Sequence, residues 1–239
     1  MKNLILTLLF LVLTTTSIEA RVYLVSVGIA DYPRTANDLN LCARDAMTIK
    51  NLYDKNSANS SILLTNEQAT LQNVTVAMNK VYSLAGKNDI VVFFFSGHGT
   101  PGNFVCYDGM LKYETIRTAM ARSMSKHRMI FADACFSGKM RNTKKRTHSA
   151  SIYSNLELML FLSSRSGEKS IEKGNMSNGI FTAYLERGLR GGADSNHDRI
   201  ITAKELFYFV SKRVQSESSG RQHPVMWGKF SDNMPVMSW

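Results

Sequence analysis

The chain has 239 residues, 44% of them hydrophobic and 20% charged, with a formal net charge of +10 at pH 7. That length suffices for one sizeable α/β domain, and with no Pro/Ser-rich linker or internal repeat to divide it, a string of separate domains is not expected. The positive balance suits an acidic partner, yet its sharpest cluster, Lys139 to His148 with Arg141, Lys144, Lys145 and Arg146, has no interleaved aromatics and no nucleic-acid motif around it. A solvated loop is expected there rather than a nucleic-acid surface.

Residues 1–20 carry Lys2, an apolar stretch from Leu4 to Leu13, and small polar residues ending in Ala20. The apolar part is too short to span a bilayer, and its order is that of a cleavable secretory signal, with an uncleaved anchor as the alternative. The expected product begins near Arg21, has no stable membrane span once the signal is removed, and works in the periplasm or outside the cell. Three cysteines are an odd count, so in an oxidising compartment one stays free or pairs between chains. Cys42 with Cys106 is one pairing that the count allows.

Strands and helices alternate along the rest. Val22 to Ile29 reads as a first strand, and Leu41, Ala46, Ile49, Leu52 and Tyr53 then fall at helical spacing. Ile62 to Leu64 is a short second strand. Thr70 is placed to cap a helix whose inward face is Leu71, Val74, Met78, Val81 and Tyr82. Strand three runs Ile90 to Phe95, a helix Tyr113 to Met124, strand four Met129 to Ala132 and strand five Leu156 to Ser163. Asn178-Gly179 opens a helix through Phe181, Tyr184 and Leu185, and another follows Thr202 with Leu206, Phe209, Val210 and Val214 on one side. Pro224 to Trp227 is the sixth strand. This order implies a mainly parallel sheet covered by helices on both faces, with right-handed crossovers.

Two strand-to-loop corners carry the chemistry: Val91-Val92-Phe93-Phe94-Phe95-Ser96-Gly97-His98-Gly99 and Met129-Ile130-Phe131-Ala132-Asp133-Ala134-Cys135-Phe136-Ser137-Gly138. Each is an apolar run of the kind found in buried parallel strands, stopped by small residues, so each delivers one reactive side chain to the same sheet edge. A histidine and a cysteine so placed are a thiol nucleophile and its acid/base partner. The flanking glycines allow a sharp turn that leaves the Gly99 and Cys135 N–H groups to face a developing oxyanion. His127, His148, His197 and His223 lack this strand-end context and are expected at the surface or in loops.

The two corners together resemble the caspase-like cysteine peptidases, and more closely their metacaspase-like and bacterial branches. Val27-Gly28-Ile29 with Tyr32, Leu41-Cys42-Ala43-Arg44-Asp45-Ala46, Leu162-Ser163-Ser164-Arg165, Asn178-Gly179-Ile180-Phe181-Thr182 and Gly220-Arg221-Gln222-His223-Pro224 extend the likeness over nearly all of the chain after residue 20. The resemblance implies a three-layer caspase-like α/β fold on a mainly parallel six-stranded sheet. It divides residues 21–239 into a large-subunit-like part (21–138), an exposed basic loop (139–152) and a small-subunit-like part (153–239). It also implies that Cys135 is the nucleophile, His98 its partner, and the Gly99 and Cys135 main-chain N–H groups the oxyanion hole.

Substrate recognition is implied for Asp45, Asp133, Ser163 and Ser164. Asp133 and the Cys42-x-x-Asp45 element match an acidic pocket for the residue before the cut, which favours Arg or Lys and repels Asp. Arg165 would reverse that preference if its guanidinium entered the pocket, and Phe136 departs from the histidine common at its place in metacaspases. An enzyme cutting after Arg or Lys would find sites in its own basic loop, so self-cleavage there is expected. A clostripain-like or gingipain-like peptidase is a related reading with the same mechanism. A caspase-fold binding module with an idle dyad is the alternative from another class.

One motif stands apart. Asp194, Asn196, Asp198, Ile200 and Glu205 occupy the ligand positions of a twelve-residue calcium loop. Against Ca²⁺, Arg199 stands where the loop calls for Gly, and Thr202 to Glu205 also reads as a capping box that would occupy Glu205 without metal. Peptide hydrolysis by a thiol needs no cofactor, so Ca²⁺ is the single ion that the sequence brings into question. The partners expected are protein or peptide substrates.

Overall fold

A computed structural model of the chain describes residues 20–134, 157–165 and 168–238. The leader, the basic loop and His148 lie outside the described residues. In chain order the elements are β1 (Val22–Gly28), α1 (Cys42–Tyr53), β2 (Ser60–Thr65), α2 (Leu71–Tyr82), β3 (Ile90–Gly97), β4 (Gly99–Thr100), β5 (Asn103–Val105), β6 (Met110–Lys112) and α3 (Tyr113–Ala121). They continue with β7 (His127–Ala134), β8 (Leu158–Leu162), α4 (Ile180–Arg187), β9 (Ile200–Thr202), α5 (Ala203–Glu217), β10 (Val225–Lys229) and β11 (Pro235–Ser238).

The main sheet has six strands in the order β10-β8-β7-β3-β1-β2, all parallel except β10, which runs antiparallel to β8. β1 and β3 are buried along their whole length, as expected of continuous runs of β-branched and aromatic residues in a sheet covered on both sides. Alternation splits their side chains between two cores. Val25, Phe93, Phe95 and Ile130 pack with Val74 and Met78 of α2 and Ile116 of α3. Leu24, Phe94, Phe131 and Phe161 pack with Ile49 of α1, Phe181 of α4 and Leu206 of α5. Each fully buried Phe contributes roughly 1.5–3 kcal/mol through its transfer from water, so Phe93, Phe94 and Phe95 make β3 the keel of both layers.

Helix starts follow local chemistry. The Thr70 hydroxyl accepts from Asn73 N at 3.1 Å, and Thr202 forms a capping box with Glu205. The α3 helix stops at Ala121, short of the expected Met124, because the Ser123 hydroxyl donates to the Met120 carbonyl and closes the end. Two small sheets add to the expected plan. β4, β5 and β6 form a three-stranded sheet that places Phe104 on Phe95, with ring centroids 4.4 Å apart, and β11 pairs with β9. No helix among the described residues is long and apolar enough to cross a membrane.

Candidate active site

The carboxyl ends of β1, β3 and β7 open on one edge of the sheet. Parallel register pairs Ser96 with Asp133 and Gly97 with Ala134, so the residues just before His98 and Cys135 are direct neighbours across one strand gap. Cys135 and Phe136 themselves lie outside the described residues. Gly99, the other residue expected at the oxyanion hole, opens β4 opposite Phe104.

His98 is gripped from three sides. A Cβ on Gly97 would stand 2.8 Å from the Tyr32 hydroxyl, so only glycine lets that hydroxyl come close. The Tyr32 oxygen accepts from the His98 main-chain N–H at 2.9 Å and donates to the Val105 carbonyl at 3.2 Å, and its ring lies against the imidazole with centroids 4.9 Å apart. Burial pushes the Tyr32 phenol well up, which keeps the proton that the Val105 contact uses. His98 Nε2 lies 2.7 Å from the Asn37 carbonyl oxygen. A carbonyl can only accept, so Nε2 carries hydrogen and Nδ1 keeps its lone pair for proton transfer.

Beside the histidine is a cavity of about 190 Å³ whose walls include Asp45, Ser96, Asp133, Ser170, Glu172 and Gly179. Asp45 and Asp133 are 1% and 5% exposed. Asp45 Oδ1 accepts from Asn178 Nδ2 at 2.9 Å and Gly179 N at 3.0 Å, and Oδ2 accepts from the Ser96 hydroxyl at 2.8 Å. Asp133 Oδ2 accepts from Thr182 N at 3.1 Å and the Thr182 hydroxyl at 2.8 Å. A Cβ on Gly179 would come within 2.6 Å of Asp133 Oδ2 and 3.2 Å of Asp45 Oδ2, so both carboxyl groups are reached from one point. Burial first, and then the facing Asp133, push the Asp45 carboxyl up to about 8. Burial also raises Asp133, against the pull of its Thr182 donors.

The serines play another part. Ser163 and Ser164 are fully buried behind the cavity rather than on its wall. The Ser163 hydroxyl accepts from Ala134 N at 3.2 Å and shares a hydrogen bond with the Ser170 hydroxyl, so it ties the end of β7 to Ser170, which does line the cavity. Arg165 is exposed and absent from the walls. Glu172 is a wall residue that sequence reasoning missed. Its carboxylate accepts from Leu41 N at 2.9 Å, Asn40 N at 3.2 Å and Asn40 Nδ2 at 3.1 Å. No local pattern betrays it, because its partners lie over 130 residues away.

Cys42 and Cys106 are separate buried thiols, which corrects the pairing considered between them. The Cys42 sulfur instead faces Glu172 Oε1 at 3.8 Å. Burial pushes the Cys42 thiol well up and Cys106 to about 12, so neither supplies a thiolate at neutral pH. Among the remaining histidines, His197 is exposed, His127 is half-buried as the first residue of β7, and His223 Nδ1 lies 2.9 Å from Glu168. A larger hollow of about 300 Å³ at the amino ends of β1 and β3 is lined by Leu52, Tyr53, Lys55 and Arg190, with no acid/base pair among the described residues of its walls.

The 194–205 loop is closed by its own hydrogen bonds. Arg199 takes the left-handed conformation at φ 66°, and its N–H donates to Asp194 Oδ2 at 3.1 Å. Asp198 Oδ1 accepts from Ile200 N at 2.8 Å, and Asn196 Oδ1 accepts from Asp198 N at 3.1 Å. Glu205 Oε1 accepts from Ser195 N and its hydroxyl at 3.0 and 2.7 Å, and Oε2 from Thr202 N and its hydroxyl at 3.0 and 2.8 Å. These donors hold the Glu205 carboxyl down at about 2. Among the described residues, no three His, Cys, Asp or Glu side chains converge as metal ligands.

Comparison with known proteins agrees with this fold. Residues 21–234 match the family model described as the caspase domain. No curated protein sequence matches the chain. Among solved structures, a Geobacter sulfurreducens protein shares 17% identity over 88% of this chain and 94% of its own, with a TM-score of 0.63. Caspase-1 from Spodoptera frugiperda shares 13% identity over 91% of this chain and 89% of its own, with a TM-score of 0.62. At such identities the likeness is one of fold.

Proposed function

Because the chain belongs to the caspase-domain family of peptidases, we propose that it is a cysteine endopeptidase that cuts peptide bonds after Arg or Lys. In this reading His98 takes the Cys135 thiol proton on Nδ1, and the thiolate attacks the scissile carbonyl. The Gly99 and Cys135 N–H groups receive the oxyanion, the amine leaves with the proton held by His98, and water hydrolyses the acyl-enzyme. The observation that supports this most is the Gly97–Ala134 pairing beside a cavity with two buried carboxyl groups. A basic side chain supplies the counter-charge those groups lack, whereas an acidic one would add a like charge in a confined site. The buried thiols of Cys42 and Cys106 leave Cys135 as the cysteine suited to be the nucleophile. The reading includes export under the direction of residues 1–20 and self-cleavage in the basic loop 139–152.

The test is a fluorogenic peptide series that differs only in the residue before the cut, run on wild type and Cys135→Ala. Cleavage of Arg and Lys peptides by wild type alone is expected. Cleavage of Asp peptides in their place would overturn the pocket assignment while keeping the nucleophile. Mass spectrometry of the two proteins side by side checks self-cleavage, since an identical nicking pattern in both would exclude the protein's own active site.

A further inference from the structure

Resting on the export in that reading, we propose that the bond after Ala20 is a maturation site whose cleavage turns the Arg21 nitrogen into an ammonium paired with Asp89. Ala20 supplies the small residue that signal processing needs before the cut, and Arg21 is the residue just ahead of β1. In the uncut chain the Arg21 main-chain N–H already donates to Asp89 Oδ1 at 3.1 Å. Hydrolysis adds water across the Ala20–Arg21 peptide bond. The C–N bond breaks, Ala20 leaves as the carboxylate end of the leader, and both water hydrogens end on the Arg21 nitrogen as –NH3⁺. A free α-amino group titrates at about 8, so at neutral pH a neutral donor has become a cation at the same place.

Both partners are held before that charge appears. The Arg21 carbonyl accepts from Ile90 N at 2.9 Å, and Val22 N donates to Asn59 Oδ1 at 2.8 Å, so the new terminus cannot swing away from β3. Asp89 is 6% exposed, in the turn that leads from α2 into β3. Its Oδ2 accepts from Gly86 N at 2.8 Å, and its carbonyl accepts from the Ser125 hydroxyl at 2.7 Å. Little ordering is therefore lost when the pair forms. The Arg21 guanidinium offers the same carboxylate less, since its Nε lies 3.8 Å from Oδ1 on a side chain that is 50% exposed. That distance is too long for a hydrogen bond, and water screens the contact. A charged donor at hydrogen-bond distance is the stronger partner. The pair clasps the amino end of β1 to that of β3, the strand whose other end leads into His98.

The first test is the amino terminus of the exported full chain, read by mass spectrometry for wild type and Cys135→Ala. Both should begin at Arg21, because an enzyme that cuts after Arg or Lys does not cut after Ala20. An uncut leader or a start at another residue would overturn the proposal, whatever the peptide series says of catalysis.

The second test is a double-mutant cycle in thermal unfolding of the processed proteins. Two glycines inserted after Ala20 leave an amine at the terminus but keep the Arg21 nitrogen a neutral amide. Asp89→Asn keeps an oxygen for Arg21 N and removes the charge. Asp89→Asn should lower Tm by about 3 °C more in the chain that begins at Arg21 than in the chain with the insertion, the scale of one partly buried charged hydrogen bond in a domain of this size. Equal losses would mean that Asp89 serves only its turn, and would overturn the ion pair. Neither test depends on peptide turnover, so failure here leaves the peptidase reading standing. A protein that cleaves nothing yet begins at Arg21 and shows the coupling would still support the pair.

Discussion

Asp45→Asn should make the protein more stable at neutral and alkaline pH while removing its proposed action on Arg and Lys peptides. The Asp45 carboxyl is pushed from 3.8 to about 8 by burial and by Asp133. In the window between these values the folded state holds a proton that the unfolded chain has released. Stability therefore falls as pH rises through that window, is free of the penalty below about pH 4, and bears all of it above about pH 8. At pH 7 the penalty is about 1.4 kcal/mol per pH unit over roughly three units, or on the order of 4 kcal/mol as an upper bound. Asparagine carries no proton to gain. Its oxygen can accept from Asn178 and Gly179, and its amide can donate to the Ser96 hydroxyl, which rotates to suit. For a domain of this size each kcal/mol moves Tm by about 2–4 °C, so thermal unfolding of the variant should lie roughly 5–15 °C higher near pH 8 and coincide with wild type near pH 4. Parallel pH–Tm curves for the two proteins would refute the reasoning, because they would mean that Asp45 is ionised in the empty pocket at no cost.

The same linkage predicts that KM for an Arg peptide falls as pH rises from about 5 to about 8, since the bound cation must displace the proton from the aspartate pair, and a pH-independent KM would count against a shared proton. Tyr32→Phe removes the acceptor for His98 N and the donor to Val105 O, a loss of about 1–3 kcal/mol for buried groups left unpaired. It should lower kcat about tenfold through a misplaced imidazole, with KM unchanged and the pH profile of kcat displaced, and an unchanged kcat would release Tyr32 from that role. In the 194–205 loop, Ca²⁺ would have to take Glu205 from its Ser195 and Thr202 donors. Titration to about 10 mM Ca²⁺ should therefore shift Tm by less than ~1 °C, and a larger rise that Asp194→Asn abolishes would show that the loop binds the metal.

What could be read from the sequence and what could not divide along the range of the interactions. The Thr70 and Thr202 caps rest on contacts within a few residues, and the β3 and β7 runs and the α1 face, though packed against distant residues, leave patterns a few residues long that are plain in the chain. The β4–β6 sheet was missed because strands of two or three residues show no periodicity, and it is held by tertiary contact of Phe104 with Phe95. Asp45 and Asp133 are named only through the resemblance to metacaspases, whose acidic positions they match. The Asn37 carbonyl against His98 and the Glu172 cap on α1 were invisible, because one is main chain and the other spans over 130 residues. Ser163 and Ser164 are expected at the substrate only through the family resemblance of the Leu162-Ser163-Ser164-Arg165 stretch. They serve one layer deeper, where the Ser163 hydroxyl satisfies Ala134 N.

In the proposed function, the burial that makes the carboxyl pair costly is also what would make it selective. Exposed aspartates at the same positions would ionise freely, attract Lys, Arg and salt alike, and gain little from any of them, since water screens such pairs to about 0–1 kcal/mol. Enclosed by Ser96, Gly179 and Thr182, the Asp45 and Asp133 carboxyl groups are both pushed up by burial, and in the proposed reading an arriving basic side chain supplies the positive charge that lets them ionise. A neutral residue offers no such replacement, and an acidic one raises the penalty further. A pocket of the proposed kind would discriminate through the instability it carries when empty, which is why the substitution expected to disable recognition is also the one expected to stabilise the fold.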